Sequence, residues 1–489
     1  MVFMYNKRKL QTQETAVKRI RKIQQSLLCA VCREEKEKME REKFKSRLGF
    51  ILISAGCAIG IGNVWKFPYM VGNYGGGIFV VFYLIFLAIM GVPILTMELA
   101  IGRASRKSTV RAYQELEKPG SKWHLHGYVA MLGNYGLMMF YTVVTGWMLY
   151  YFYLFLTGRF DGADTEQVTL MYENMLGSPS VLIVTMLIVV IAGFAICSFG
   201  LQNGVERITK WMMVALLIIM VVLAVYSFTM PGASEGLKFY LVPDIHKVEE
   251  VGLFNIITGA MNQSFFTLSL GIGAMLIFGS YLGGERSLMG EAINIAVLDT
   301  FVAIVSGLII FPACFSFGVN PDSGPSLIFK TLPNIFASMA GGRIFGSFFF
   351  LFLFFASFST IIAVFENILA CNMELFHVSR KKASLINMIL LIILSLPCAL
   401  GFNVWSDFQP RGAGTTIQDL EDFIVSNLLL PIGSLIYLLF CTTRYGWGFK
   451  NYQKEANRGA GMKMPNWMKG YLTFVLPILI VILIIQGLV

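Results

Sequence analysis

The sequence predicts an all-α polytopic membrane protein whose first and sixth spans are broken near their middles. Hydrophobic residues make up 56% of the 489 positions and charged residues only 14%. Apolar runs recur along the chain, among them 181–197, 211–228, 345–364, 386–400 and 471–489. Each is close to the roughly 20 residues that a bilayer core requires. Two runs carry glycine clusters. Gly56, Gly60, Gly62 and Pro68 lie in SAGCAIGIGNVWKFPY (54–69), and Gly271 and Gly273 lie in NQSFFTLSLGIGAMLIFGSY (262–281). An interior glycine costs a helix about 1 kcal/mol relative to alanine, and proline about 3.

Eleven spans follow, starting near residues 48, 77, 127, 180, 207, 255, 290, 343, 383, 421 and 470. Basic residues set their orientation. The stretches 103–122, 380–382 and 444–469 hold most of the Lys and Arg between spans, whereas the alternate long loops hold only Arg159, Lys238, Lys247, Lys330 and Arg411. Basic loops stay cytoplasmic. The N-terminus is therefore expected in the cytoplasm, the C-terminus outside, and the chain as a multi-pass protein of the plasma (inner) membrane. Residues 1–47 read as a cytosolic basic tail and 48–489 as the transmembrane domain. The tail carries most of the +10 net charge, and its clusters at 7–9 and 18–22 suit lipid headgroups. The charge calls for no nucleic-acid partner, and no apolar signal-peptide core follows the start. Cys29 and Cys32 form a lone CxxC without a second ligand pair for a metal. The other six cysteines fall in apolar segments, as small core residues do. His124 and His126 sit in an interfacial WHLHG turn, where a metal pair is the weaker reading. No nucleophile–base constellation stands out, so the chain does not read as an enzyme.

Backbone broken at membrane depth survives only where protein buries it or where it lines a polar cavity. The two GIG breaks fall in spans 1 and 6, five spans apart, so the second unit is inverted relative to the first. Interrupted helices at matching places of two inverted halves point to a transporter binding site. The alternative is that glycines merely let helices pack closely.

The motifs around the breaks are specific. NVWKFPYMVGNYGGGIFVVFY (63–83), QSFFTLSLGIGAM in span 6 and FFASFSTIIAVFEN in span 8 resemble the neurotransmitter:sodium symporter family, from about Phe44 to the C-terminus. The chain is similar to the bacterial eleven-span branch of amino-acid transporters. The resemblance implies the leucine-transporter-type fold, with spans 1–5 and 6–10 as two inverted five-helix repeats and span 11 extra. It also implies symport with sodium by alternating access, without an organic cofactor. Two sodium sites carry over. The first comprises Ala58, Asn63, Thr267 and Asp299, completed by the substrate carboxylate. The second comprises the carbonyls of Gly56, Ile59 and Ala356 with the hydroxyls of Ser359 and Thr360. Judged from the residues alone, those two hydroxyls equally suit bonding back to their own helix.

The substrate carboxylate would meet the amides of Ile61 and Gly62 and the hydroxyl of Tyr141. Its ammonium would meet carbonyls at Ala58, Phe266, Thr267 and Ser269. Monoamine carriers of the family place an Asp at the position of Gly60, and glycine leaves room for the carboxylate of an α-amino acid. Leu137, Tyr141, Phe266, Ile272, Ile361 and Val364 would form an apolar side-chain pocket for neutral hydrophobic or aromatic L-amino acids. Asp299 stands where animal members carry Asn and need chloride. With Tyr83, Gln263 and Thr267 it would supply a fixed negative charge instead, while Ala303 replaces a Glu of some bacterial relatives. Lys66 and Asp422 would pair as the outer gate, Lys66 replacing the usual Arg, with Tyr141 and Phe266 as the aromatic lid. Arg41 and Glu374, supported by Tyr281, would pair at the cytoplasmic side, where Phe44 replaces a Trp. Glu366 would join that inner network. A non-transporting amino-acid sensor, or a carrier of an osmolyte or amine, could use the same pocket; Gly60 and the apolar lining speak for the amino acid.

Overall fold

Span 1 forms two helices because its backbone cannot stay helical through the glycine cluster. Arg47–Ala58 begins at an N-cap in which the Ser46 side chain accepts from the Gly49 amide, and it ends where Ile59 turns extended (φ −68°, ψ 101°). The chain resumes as Gly62–Asn73, bent 55° from the first half. Pro68 falls in the first turn of Phe67–Asn73, where its missing N–H is tolerated. Span 6 breaks harder, into Leu253–Thr267 and Ala274–Ser280. Between them Ser269, Gly271 and Gly273 all have positive φ (51°, 100° and 74°). Glycine takes that region at no steric cost, while Ser269 is held there against its preference.

The computed structural model describes residues 42–318 and 327–488. The chain divides into Met1–Glu42 and Lys43–Val489, and the architecture here is that of the second unit. The tail clusters, Cys29, Cys32 and Arg41 lie outside the described residues. Among those described, nine uninterrupted helices are long and apolar enough to cross a membrane. They are Gly77–Ser105, His124–Leu156, Pro179–Ser198, Leu201–Ser227, Leu288–Ser316, Gly342–Phe376, Arg380–Leu400, Ile417–Thr442 and Met468–Leu488. They form spans 2–5 and 7–11. The bent pair Arg47–Ala58 and Gly62–Asn73 adds span 1, which makes ten by length and composition; Leu253–Thr267 and Ala274–Ser280 stand where span 6 is expected, each too short to cross alone. Span 5 starts before the expected residue 207, because a wide π turn at Leu201–Glu206 carries the helix back past Arg207. The described residues form no strand, only two isolated bridges.

Large apolar side chains cover the outer surface of the bundle, including Ile188, Val222, Ile393 and Ile485, as a lipid-facing surface requires. Lipid supplies no hydrophobic drive between helices, so close packing through small residues holds them together. Span 2 and the second half of span 6 show this. A Cβ on Gly102 would run into the Leu276 carbonyl and lie 2.9 Å from the Ser280 amide nitrogen, and one on Gly279 would lie 2.8 Å from the Leu99 Cα. Span 8 runs through the centre, with Phe349, Ala356, Ile361, Val364 and Phe365 fully buried.

Gly102→Ala should lower the thermal unfolding midpoint in detergent by several degrees, the mark of an overpacking cost of about 1–3 kcal/mol. Gly177→Ala, with nothing within 4 Å of the added carbon, serves as the control. Equal midpoints for both variants would refute the close approach.

Candidate substrate and ion site

The free polar groups of the two breaks find partners on spans 2, 3, 7 and 8. At the span 1 break, the Ser359 hydroxyl donates to the carbonyls of Gly56 (2.9 Å) and Ala356 (2.9 Å). The Thr360 hydroxyl donates to those of Gly56 (3.3 Å) and Ile59 (3.2 Å). Ser359 and Thr360 thus reach across to span 1 as well as back along their own helix. All five second-site residues come together as three carbonyls and two hydroxyls. A compact set of oxygens without nitrogen or sulfur fits a small hard cation that exchanges its water for carbonyl dipoles.

Asn63, Thr267 and Asp299 also meet, all fully buried. Asn63 Nδ2 donates to Asp299 Oδ1 (2.9 Å) and to the Asp299 carbonyl (3.1 Å), while its Oδ1 accepts from the Gly60 amide (3.2 Å). Thr267 Oγ1 donates to Asp299 Oδ2 (3.0 Å). Both carboxylate oxygens of Asp299 therefore have donors. Gln263 Nε2 donates to the Gly62 carbonyl (2.8 Å). Among the described residues the Tyr83 hydroxyl and Gln263 Oε1 are buried without a hydrogen-bond partner.

A cavity of about 10 Å³ lies between the breaks, lined by Ala58, Gly62, Leu137, Tyr141, Phe266, Ser269 and Leu430. That is room for about one water, so a larger solute enters only if the walls move. Tyr141 accepts from the Ile61 amide at 2.9 Å. A Cβ on Gly60 would strike the Tyr141 hydroxyl and lie 2.6 Å from Thr360 Oγ1, so a side chain here would displace one or both hydroxyls. Leu137, Tyr141 and Phe266 line the cavity as expected for the side-chain pocket. Ile272, Ile361 and Val364 are buried but do not line it. Ile272 and Ile361 instead fill the spaces beside Gly133 and Gly193. Leu430 of span 10, absent from the sequence reading, closes that side.

The gates differ from expectation. Lys66 and Asp422 do not form an ion pair. The Lys66 ammonium sits 3.7 Å above the Phe266 ring, and Asp422 accepts from Ser426 Oγ (2.6 Å). A single ammonium cannot make the bidentate fork of an arginine, and the aromatic face is the nearer partner. At the basic end, Glu374 accepts from the amide and hydroxyl of Ser108 (3.0 and 2.7 Å). Tyr281 donates to Glu366 (2.8 Å) rather than serving Glu374 alone. Arg380, which the sequence reading passed over as a loop cation, forks onto both oxygens of Glu366 (2.7 and 3.0 Å). Phe44 packs against Phe50, Phe278 and Tyr281. His124 turns to Glu117 (2.7 Å), while His126 is buried against Tyr113 and Tyr437, so the two imidazoles part.

Sequence reasoning also missed the supports of the span 6 break. Glu98 Oε1 accepts from the Gly271 amide (2.6 Å). Asn134 Nδ2 donates to the Ile272 carbonyl (2.8 Å). Thr109 Oγ1 and Asn367 Nδ2 donate to the Gly273 carbonyl (3.1 and 3.3 Å). Polar residues inside apolar runs are the signal that finds them, Glu98 above all, because an intramembrane acid marks a functional site by default.

Two half-helix breaks facing one buried cavity, with oxygen clusters on both sides, define a membrane carrier of the secondary-transporter class. The chain belongs to the sodium:neurotransmitter symporter family, whose family model matches residues 41–170 and 165–489. It is a sodium-dependent symporter with the leucine-transporter-type fold, not an enzyme. It is 32% identical over 444 residues to YhdH of Bacillus subtilis, an uncharacterized sodium-dependent transporter, covering 91% of this chain and 97% of that one. An uncharacterized sodium-dependent transporter of Methanocaldococcus jannaschii is 31% identical over 458 residues, covering 90% and 89%. The crystal structure of MhsT in complex with L-phenylalanine matches with a TM-score of 0.81 at 35% identity, covering 91% of this chain and 100% of that chain.

Arg380→Ala should destabilise the protein in detergent by about 3–5 kcal/mol, because it strands the Glu366 carboxylate in the interior. Adding Glu366→Gln should recover most of the loss in unfolding midpoint. A single variant as stable as wild type would show that the pair is solvated.

Proposed function

We propose that this symporter takes up neutral hydrophobic or aromatic L-amino acids with two sodium ions and without chloride. The observation that carries the reading is the all-oxygen cluster of Gly56, Ile59, Ala356, Ser359 and Thr360 beside Gly60, where an added Cβ would run into the Tyr141 hydroxyl and lie 2.6 Å from Thr360 Oγ1. A monoamine carrier of the family places a carboxylate at the position of Gly60. Here the substrate must bring its own, which then completes the first sodium site with Ala58, Asn63, Thr267 and Asp299. The side-chain end meets Leu137, Tyr141, Phe266 and Leu430 without a fixed charge. The phenylalanine bound to MhsT is a ligand of the same class. Lys66 over Phe266 closes one end and the Arg380–Glu366–Tyr281 group the other, so alternating access opens one while the other holds. Loop charges put the N-terminus in the cytoplasm and the C-terminus outside a plasma (inner) membrane.

Proteoliposome uptake of radiolabelled phenylalanine or leucine should require an inward sodium gradient and be competed by other neutral L-amino acids. Uptake that persists with choline in place of sodium would refute the reading.

Asp299 supplies the negative charge that balances two cations and a zwitterion. Unit charges about 4 Å apart interact by roughly 4 kcal/mol at an effective dielectric of 20. Wild-type uptake should run equally fast in chloride and gluconate. Asp299→Asn should slow it by about tenfold or more, as loss of a buried compensating charge does, with chloride partly restoring it beside Tyr83 and Gln263. A chloride requirement in wild type, or an indifferent variant, would remove Asp299 from this role.

A further inference from the structure

A second cavity, of about 430 Å³, lies at the basic end of the bundle, away from the substrate site. It is lined by Lys43, Phe44, Lys45, Arg47 and Phe50 from the start of span 1, Arg103 from the end of span 2, the 281–286 turn after span 6, and Glu291 of span 7. Spans 1, 2, 6 and 7 all end around it. That places it at the depth of the inner headgroup layer in the orientation the loop charges give.

Its cations fall into two sets. Arg47 is tied to Glu291 (3.0 Å) and Arg103 to Glu455 (2.6 Å). Arg103 also donates to the Arg286 carbonyl (2.6 Å), which fixes the turn. Lys43, Lys45 and Arg286 are exposed and, among the described residues, make no ion pair. Glu285 is the lining carboxylate left over against these three. Phe44, Phe50 and Leu282 give the cavity an apolar wall. Unneutralised cations around a partly apolar hollow at headgroup depth match a phosphate that carries a glycerol and the start of acyl chains.

We propose that this cavity is a binding site for the phosphate-bearing headgroup of an anionic phospholipid, held by Lys43, Lys45 and Arg286. The bound lipid ties the start of span 1 to the 281–286 turn. These two segments flank the Arg380–Glu366–Tyr281 group through Tyr281 and the Phe44–Tyr281 ring contact (5.8 Å), so the lipid favours the form closed at this end.

Native mass spectrometry of the full chain, released from micelles with equal phosphatidylglycerol and phosphatidylcholine, tests the site. Wild type should retain phosphatidylglycerol over phosphatidylcholine by about tenfold or more, the order expected for several basic residues at a headgroup. The triple variant Lys43→Gln, Lys45→Gln, Arg286→Gln should lose that preference. Lys381→Gln, Lys382→Gln, Lys469→Gln removes the same charge from exposed positions and should keep it. Equal losses in the two triple variants, or no preference in wild type, would overturn the site. If the first triple variant does not fold, the wild-type ratio and its competition by inorganic phosphate decide alone. Stabilisation by inorganic phosphate without lipid retention would assign the cavity to a free anion and overturn the lipid.

Discussion

The whole molecule is arranged around unpaired backbone in a medium with no water to satisfy it. Each stranded carbonyl or amide in hydrocarbon costs several kcal/mol. The two breaks of spans 1 and 6 would strand many at once. Their neighbours therefore carry polar side chains at the same depth: Ser359 and Thr360 on span 8, Asn63 and Asp299 across spans 1 and 7, Glu98 on span 2, Asn134 on span 3, Asn367 on span 8. Lying centrally, span 8 serves both breaks from one helix, which explains the length and burial of Gly342–Phe376.

The same requirement makes the site responsive. Hydroxyls that donate to carbonyls can rotate and offer lone pairs to a cation instead. The Ser359–Thr360 cluster can thus exchange internal hydrogen bonds for ion coordination without moving its backbone. At the other break, Asn63 links Gly60 of span 1 to Asp299 of span 7, and Thr267 links Asp299 to span 6. A cation bound among them couples three helices, while the substrate cavity lies between two of the same chain segments. At the proposed sites, ion and substrate would act on one set of backbone groups, which would give coupled movement a physical basis.

Closure at the two ends is built differently. Beside the cavity a lone ammonium lies on an aromatic face, an interaction worth about 0.5–2 kcal/mol depending on desolvation. At the basic end a guanidinium forks onto a fully buried carboxylate that also accepts from a tyrosine. Bidentate charge-assisted bonds are the stronger kind.

Much was legible in sequence because it depends on local chemistry. The apolar spans and the two breaks follow from apolar length and from glycines that cannot sustain a helix. The oxygen-bearing residues of both proposed ion clusters follow from the family resemblance at 54–83, 262–274 and 355–367. Where a side chain spends its reach was decided only in three dimensions. Lys66 faces Phe266 rather than Asp422, Arg380 rather than a distant partner takes Glu366, and Leu430 stands in the cavity wall while Ile272 and Ile361 fill spaces beside Gly133 and Gly193. Helical periodicity tells which residues share a face. It does not tell which face of span 10 or span 3 meets the break of span 6, because that depends on how closely glycines such as Gly102, Gly271 and Gly433 let the backbones approach.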